Sequence, residues 1–163
     1  MDLCSLYQPA EWVTLQYAVM WVFHSVAGAD GVVDKKEQMA LKQLTSNAKK
    51  FSNVLLQEVL TSLDTNSGSI FRQSMADPRG YKKGLAAAIA IVNKTLPQEE
   101  AISFKKHLIA IGFFIANTSG DKEKVKVSQE EANIIAALAF NLGLKMEDLK
   151  SSPTISEIIS VLK

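Results

Sequence analysis

The chain has 163 residues, enough for one domain with a real core, and 47% of them are apolar, which excludes a disordered tail. Eighteen basic and seventeen acidic side chains leave a net charge of +1, so there is no global electrostatic reason to bind nucleic acid or an anionic membrane. One cysteine, Cys4, excludes an internal disulfide and fits a reducing, cytoplasmic setting.

Pro9 suits a first helical turn, where its missing N–H costs nothing. The helix it opens is predicted to reach about Ala27. Trp12, Leu15, Val19, Val22, Phe23 and Val26 share one broad face, and Met20 and Trp21 widen it. The stretch from Trp12 to Ala27 is apolar, but Thr14, Gln16, His24 and Ser25 interrupt it, so it reads as a buried helix and not a membrane span. The start, Met1 to Cys4, lacks the positive region of a secretory signal. A turn from Gly28 to Val33 leads into a helix from Lys35 to about Lys50, striped by Leu41, Leu44 and Ala48.

Ser52 is a predicted N-cap for a third helix carrying Leu55, Leu56, Val59, Leu60 and Leu63. Asp64 to Ser69 reads as a loop, and Ile70 to Ala76 as a short helix. Asp77-Pro78 is predicted to cap and open a helix to about Thr95, whose Leu85 to Val92 section, apolar on nearly every side, suits the centre of a bundle. Pro97, Glu99 and Glu100 open another helix, with negative charge at its positive end, that runs through Leu108 to Ala116. A helix from about Gln129 to Leu142 closes on Gly143. Ile155, Ile158, Ile159 and Leu162 form an amphipathic stripe beyond it. No stretch alternates with the period of a half-buried strand. The expected fold is all-α, a compact bundle of about seven to nine helices in a single domain over 1–163.

Two segments resemble one another. Ala27-Gly28-Ala29-Asp30-Gly31 parallels Ala116-Asn117-Thr118-Ser119-Gly120, each after an apolar helix end. Downstream, Val33-Asp34-Lys35-Lys36-Glu37 parallels Val127-Ser128-Gln129-Glu130-Glu131, with a five-residue insertion within Asp121 to Lys126. The expectation is two related halves, approximately 10–64 and 97–143.

The acidic turn supports two readings. Asp34-x-x-Glu37 has capping-box spacing, and Ser128-x-x-Glu131 repeats it; together with an ordinary Asp30-Gly31 turn, capping accounts for all three carboxylates without a ligand. The other reading takes Gly31 as the sixth position of a calcium loop. Asp30 then falls at position five, Asp34 at nine and Glu37 at twelve, while positions one and three, Val26 and Gly28, offer no carboxylate. A full EF-hand is thereby disfavoured. What remains is a shallower site for a hard divalent cation, Ca or Mg, on Asp30, Asp34 and Glu37, completed by an oxygen donor such as Glu131 from the second half.

The run at 27–37, with the duplication and the chain length, resembles the signature turn of the TerB-like domain of tellurite-resistance proteins. The resemblance implies a cytoplasmic, non-enzymatic, all-helical domain of two related halves, linked to tellurite and chemical-stress resistance, with Asp30, Glu37 and Glu131 at its acidic turns. Ser119 departs from the pattern, because the second half lacks the aspartate matching Asp30.

The sequence offers no catalytic set: no nucleophile elbow, P-loop, dinucleotide fingerprint or HExxH run. His24 and His107 stand alone, away from zinc-ligand spacing, and read as structural histidines. Arg79 to Lys83 is a short basic cluster, read first as a solvated helix start. Two functional classes follow. One is a TerB-like stress-response domain that binds a cation or a protein partner. The alternative is a metal-free interaction module that docks a partner or self-associates.

Overall fold

In a computed structural model the described residues are 3–27, 35–118 and 129–145, with 148, 158 and 160. Among them are seven α-helices and no strand. They are α1 (Pro9–Ala27), α2 (Lys35–Ser46), α3 (Val54–Leu63), α4 (Ser67–Ala76), α5 (Gly80–Thr95), α6 (Gln98–Thr118) and α7 (Gln129–Asn141). The fold is all-α, as the absence of period-two alternation predicts. No described helix is long and apolar enough to cross a membrane.

The bundle is organised around α1, which packs against α3, α4, α5, α6 and α7. Leu15, Ala18, Val19, Met20 and Val22 are all fully buried. Burial of one such large aliphatic side chain contributes roughly 1.5–3 kcal/mol, so this helix supplies much of the driving force for the fold. α5 lies antiparallel beside it. Near one end Lys94 reaches Glu11 at 2.8 Å, and Tyr7 and Thr95 share a 3.1 Å hydrogen bond. Towards the other end the α5 backbone at Gly84 lies against the six-membered ring of Trp21.

Four local expectations are corrected. The Leu85–Val92 section of α5, expected to suit the centre of the bundle, buries only one side: Gly84, Leu85, Ala88 and Val92 are buried while Ala86 and Ala90 are exposed. Alanine suits either environment, so its abundance does not locate a helix in the bundle. The cap of α3 is Asn53, not Ser52: its side-chain oxygen accepts the Leu56 N–H at 3.0 Å, and its amide donates to the Glu100 carbonyl of α6 at 3.2 Å. Asparagine both caps and bridges, which a serine hydroxyl at position 52 does not. The loop at 64–69 is shorter than expected, because Ser67, Gly68 and Ser69 form the first turn of α4. A first turn tolerates such residues because its N–H groups have no intrahelical partner in any case. α2 stops at Ser46, followed by a 3-10 turn at Ala48–Lys50. There Thr45, Ser46 and Asn47 turn their side chains back onto the Lys42 and Gln43 carbonyls, a pattern that competes with continued helix.

The start of α5 also differs. The Asp77 carboxylate accepts the Arg79 N–H at 2.9 Å and pairs with both Nε and Nη2 of its guanidinium, so the helix begins at Gly80, with φ 70°, and not at Pro78. At the far end of the bundle, α7 closes as predicted. Gly143, at φ 70°, donates to the Phe140 carbonyl at 3.0 Å, and Leu144 donates to the Ala139 carbonyl at 3.2 Å. This pair of bonds is a Schellman motif, which needs a residue free to adopt positive φ.

Candidate functional site

The acidic turn of the sequence lies mostly outside the described residues. Asp30 and Asp34 fall in 28–34, and the parallel turn falls in 119–128; both are outside the description. The backbones of Glu37 and Glu131 lie in α2 and α7, but their side chains are outside the description. The helix starts place both glutamates alike. α2 begins at Lys35 and α7 at Gln129, so Glu37 and Glu131 are each the third residue of a first turn. That is the glutamate position of a capping box, and also one where the helix dipole favours negative charge.

The helices that lead into the two turns touch. A Cβ added at Gly112 of α6 would lie 3.5 and 3.7 Å from Val26 and Val22 of α1, and 3.8 Å from Leu138 of α7. The last turns of α1 thus pack on the second half of α6, while α2 also rests on α6. Among the described residues no three His, Cys, Asp or Glu side chains are grouped to hold a metal ion.

His24, one turn before the end of α1, has a buried Nδ1 with no hydrogen-bond partner among the described residues, and its ring lies 6.0 Å from that of Phe71. The expectation of a hydrogen-bonded helix-end histidine is not met at that atom. Nearby, Phe23, Leu41 and Phe71 line an open cleft of about 330 Å³ whose polar side carries Gln38, Ser67 and Arg72. His107 behaves as a structural histidine. Its Nδ1–H donates to the Ser103 carbonyl at 2.7 Å, its ring meets Phe51 edge-on at 5.8 Å, and burial lowers its pKa, favouring the neutral ring.

Arg79 is half-buried and tied into the fold, with 36% of its side chain exposed. Its guanidinium holds Asp77, donates to Thr14 Oγ1 at 3.1 Å and lies 5.5 Å from the Trp21 ring centroid, a cation–π position. The Arg79 hydrogen bonds hold the Asp77 carboxyl below its ordinary pKa. Gly80, Lys82 and Lys83 of that run are exposed, while Arg79 and Tyr81 are half-buried. Trp12 and Trp21 are core residues, as expected.

A second site was not foreseen in the sequence. A cavity of about 360 Å³ lies where the end of α5, the first half of α6 and the segment after α7 meet. Lys105 of α6 lines it. This lysine is only 8% exposed, and burial lowers its pKa, with the charge of Asp148 partly opposing the shift. The available signal was the run Lys105-Lys106-His107 inside an otherwise apolar helix. Three successive helical residues sweep about 200°, so on a helix enclosed by α1, α2, α3, α5 and α7 they cannot all reach water. All three are buried.

The fold and these sites define a small all-helical domain with open, partly polar clefts and, among the described residues, no catalytic constellation. No family model matches the chain, and no solved structure matches it. It is 32% identical over 130 residues to the uncharacterized protein ORF11' of Methanothermobacter thermautotrophicus, an alignment covering 76% of this chain and 82% of that protein. The chain belongs to the family of that protein.

Proposed function

We propose that this protein is a TerB-like, non-enzymatic stress-response domain of the cytoplasm that acts by binding, with a divalent cation, Ca or Mg, held at its acidic turn. Asp30, Asp34 and Glu37 are the oxygen donors, and Glu131 adds one from the second half. The observation that carries the reading is the acidic run between α1 and α2. Two features support it: Glu37 and Glu131 take the same place in their helices, and the helices entering both turns pack on one another. Hard cations take carboxylate oxygens, and a site with few fixed ligands binds weakly. The expected outcome of a Ca or Mg titration, followed by NMR, is saturable shifts of the 28–37 amides at millimolar concentration in the wild type, lost in Asp30→Ala. No response in either protein leaves the carboxylates as helix caps alone.

A second reading, a metal-free interaction module, is favoured by Phe140. It is 83% exposed on α7, and Ala136 and Ala137 are exposed one turn earlier on the same side. A large aromatic side chain left in water beside small residues is the kind of surface that covers itself on a partner or on a second copy.

A further inference from the structure

The cavity beside Lys105 is chemically distinct from the acidic turn. We infer that it is a binding site for a small aliphatic monocarboxylate, with the Lys105 ammonium receiving the carboxylate. Its volume, about 360 Å³, falls within the roughly 300–1,000 Å³ of small-molecule sites. Lys105 makes no hydrogen bond or ion pair with a described residue, although it is 8% exposed. The stem is buried while the ammonium keeps contact with solvent, and an anion entering the cavity supplies it with a direct partner.

Asp148 does not fill the role. It acts on Lys105 through space, while its Oδ2 is committed to the Lys145 N–H at 2.9 Å. Among the described residues, the ionic groups lining the cavity are Lys105, Lys145 and Asp148, one positive charge in excess, which matches a single carboxylate. The amides of Asn93 and Gln98 add hydrogen-bonding capacity, and Leu96, Ala101 and Ile102 provide an apolar wall for a short hydrocarbon chain. This division, a few convergent polar groups against an apolar wall, is how small-molecule sites fix orientation.

The test is an amide NMR titration of the full chain with sodium butyrate at constant ionic strength, with sodium chloride and inorganic phosphate as parallel probes. The expected result is saturable shifts at Ala101, Ile102 and Gly143 with butyrate only, weakened at least about tenfold in Lys105→Met, the order expected when a charged partner is removed. Linear, unsaturating shifts, or equal binding by Lys105→Met, overturn the site. Equal binding of phosphate overturns the carboxylate assignment. Should Lys105→Met fail to fold, the Lys105 side-chain resonance of the wild type decides. Bound butyrate raises the pKa of this ammonium, and a pKa unchanged at saturating butyrate overturns the proposal.

Discussion

At Gly84 the backbone of α5 and the indole of Trp21 leave no space for a methyl group: an added Cβ would penetrate the six-membered ring. Trp21 cannot yield easily. Its Nε1–H donates to the Ser74 carbonyl at 3.2 Å, Tyr17 meets it edge-on at 5.6 Å, and Arg79 stacks on it. Gly84→Ala should therefore destabilise by about 1–3 kcal/mol despite the better helix propensity of alanine. Gly68→Ala is the contrasting case, since its Cβ would meet only the Arg72 guanidinium at 3.8 Å. Thermal melts should show Gly84→Ala several degrees below the wild type and Gly68→Ala at or above it. Neither outcome was legible in the sequence, where both positions are glycines among polar and small residues. The apolar partners were legible: Trp21 and the stripe Leu55, Leu56, Val59, Leu60 and Leu63 are buried where periodicity put them. The buried Lys105 was not, because a lysine's long stem lets it sit on either side of a surface, and only its neighbours decide which.

At the scale of the element, existence and order were readable, and ends were readable only where the punctuation is strong. The span of α1 matches its prediction, because proline at one end and a small-residue turn at the other are strong punctuation. Where the ends depend on side chains bonding to the backbone, as at Asn53, Thr45 or Asp77, several residues compete for the same role, and the tertiary setting chooses. α7 carries the element-level prediction. If its exposed Phe140 face self-associates, light scattering should show mass rising with concentration in the wild type, and Phe140→Asp should stay monomeric because the substitution places a charge in an apolar contact. A constant monomer mass for both removes self-association from the second reading.

At the scale of the molecule, Ile158, beyond α7, belongs to the core. Ile158 is 3% exposed and joins the same hydrophobic cluster as α1 and α6. Ile158→Ala should cost about 2–5 kcal/mol, the range for truncating a buried aliphatic side chain, and lower the melting midpoint accordingly. A loss well below 1 kcal/mol in denaturant unfolding would show that the tail contributes little. The stripe containing Ile158 was visible in the sequence, but what it packs on was not, since periodicity gives a face and never its partner. The acidic turns were visible by residue type and spacing, and the four proposed donors, Asp30, Asp34, Glu37 and Glu131, have side chains outside the described residues.

The central position of α1 has a consequence for biosynthesis. This helix leaves the ribosome before α5 and α6, which cover much of it and extend to Thr118. At roughly 5–20 residues per second, its apolar faces wait several seconds for those partners. Most of the contacts that enclose it join distant parts of the chain, so a nascent polypeptide stalled before α6 presents an adhesive, incomplete bundle, a natural client for a chaperone that shields hydrophobic segments during translation.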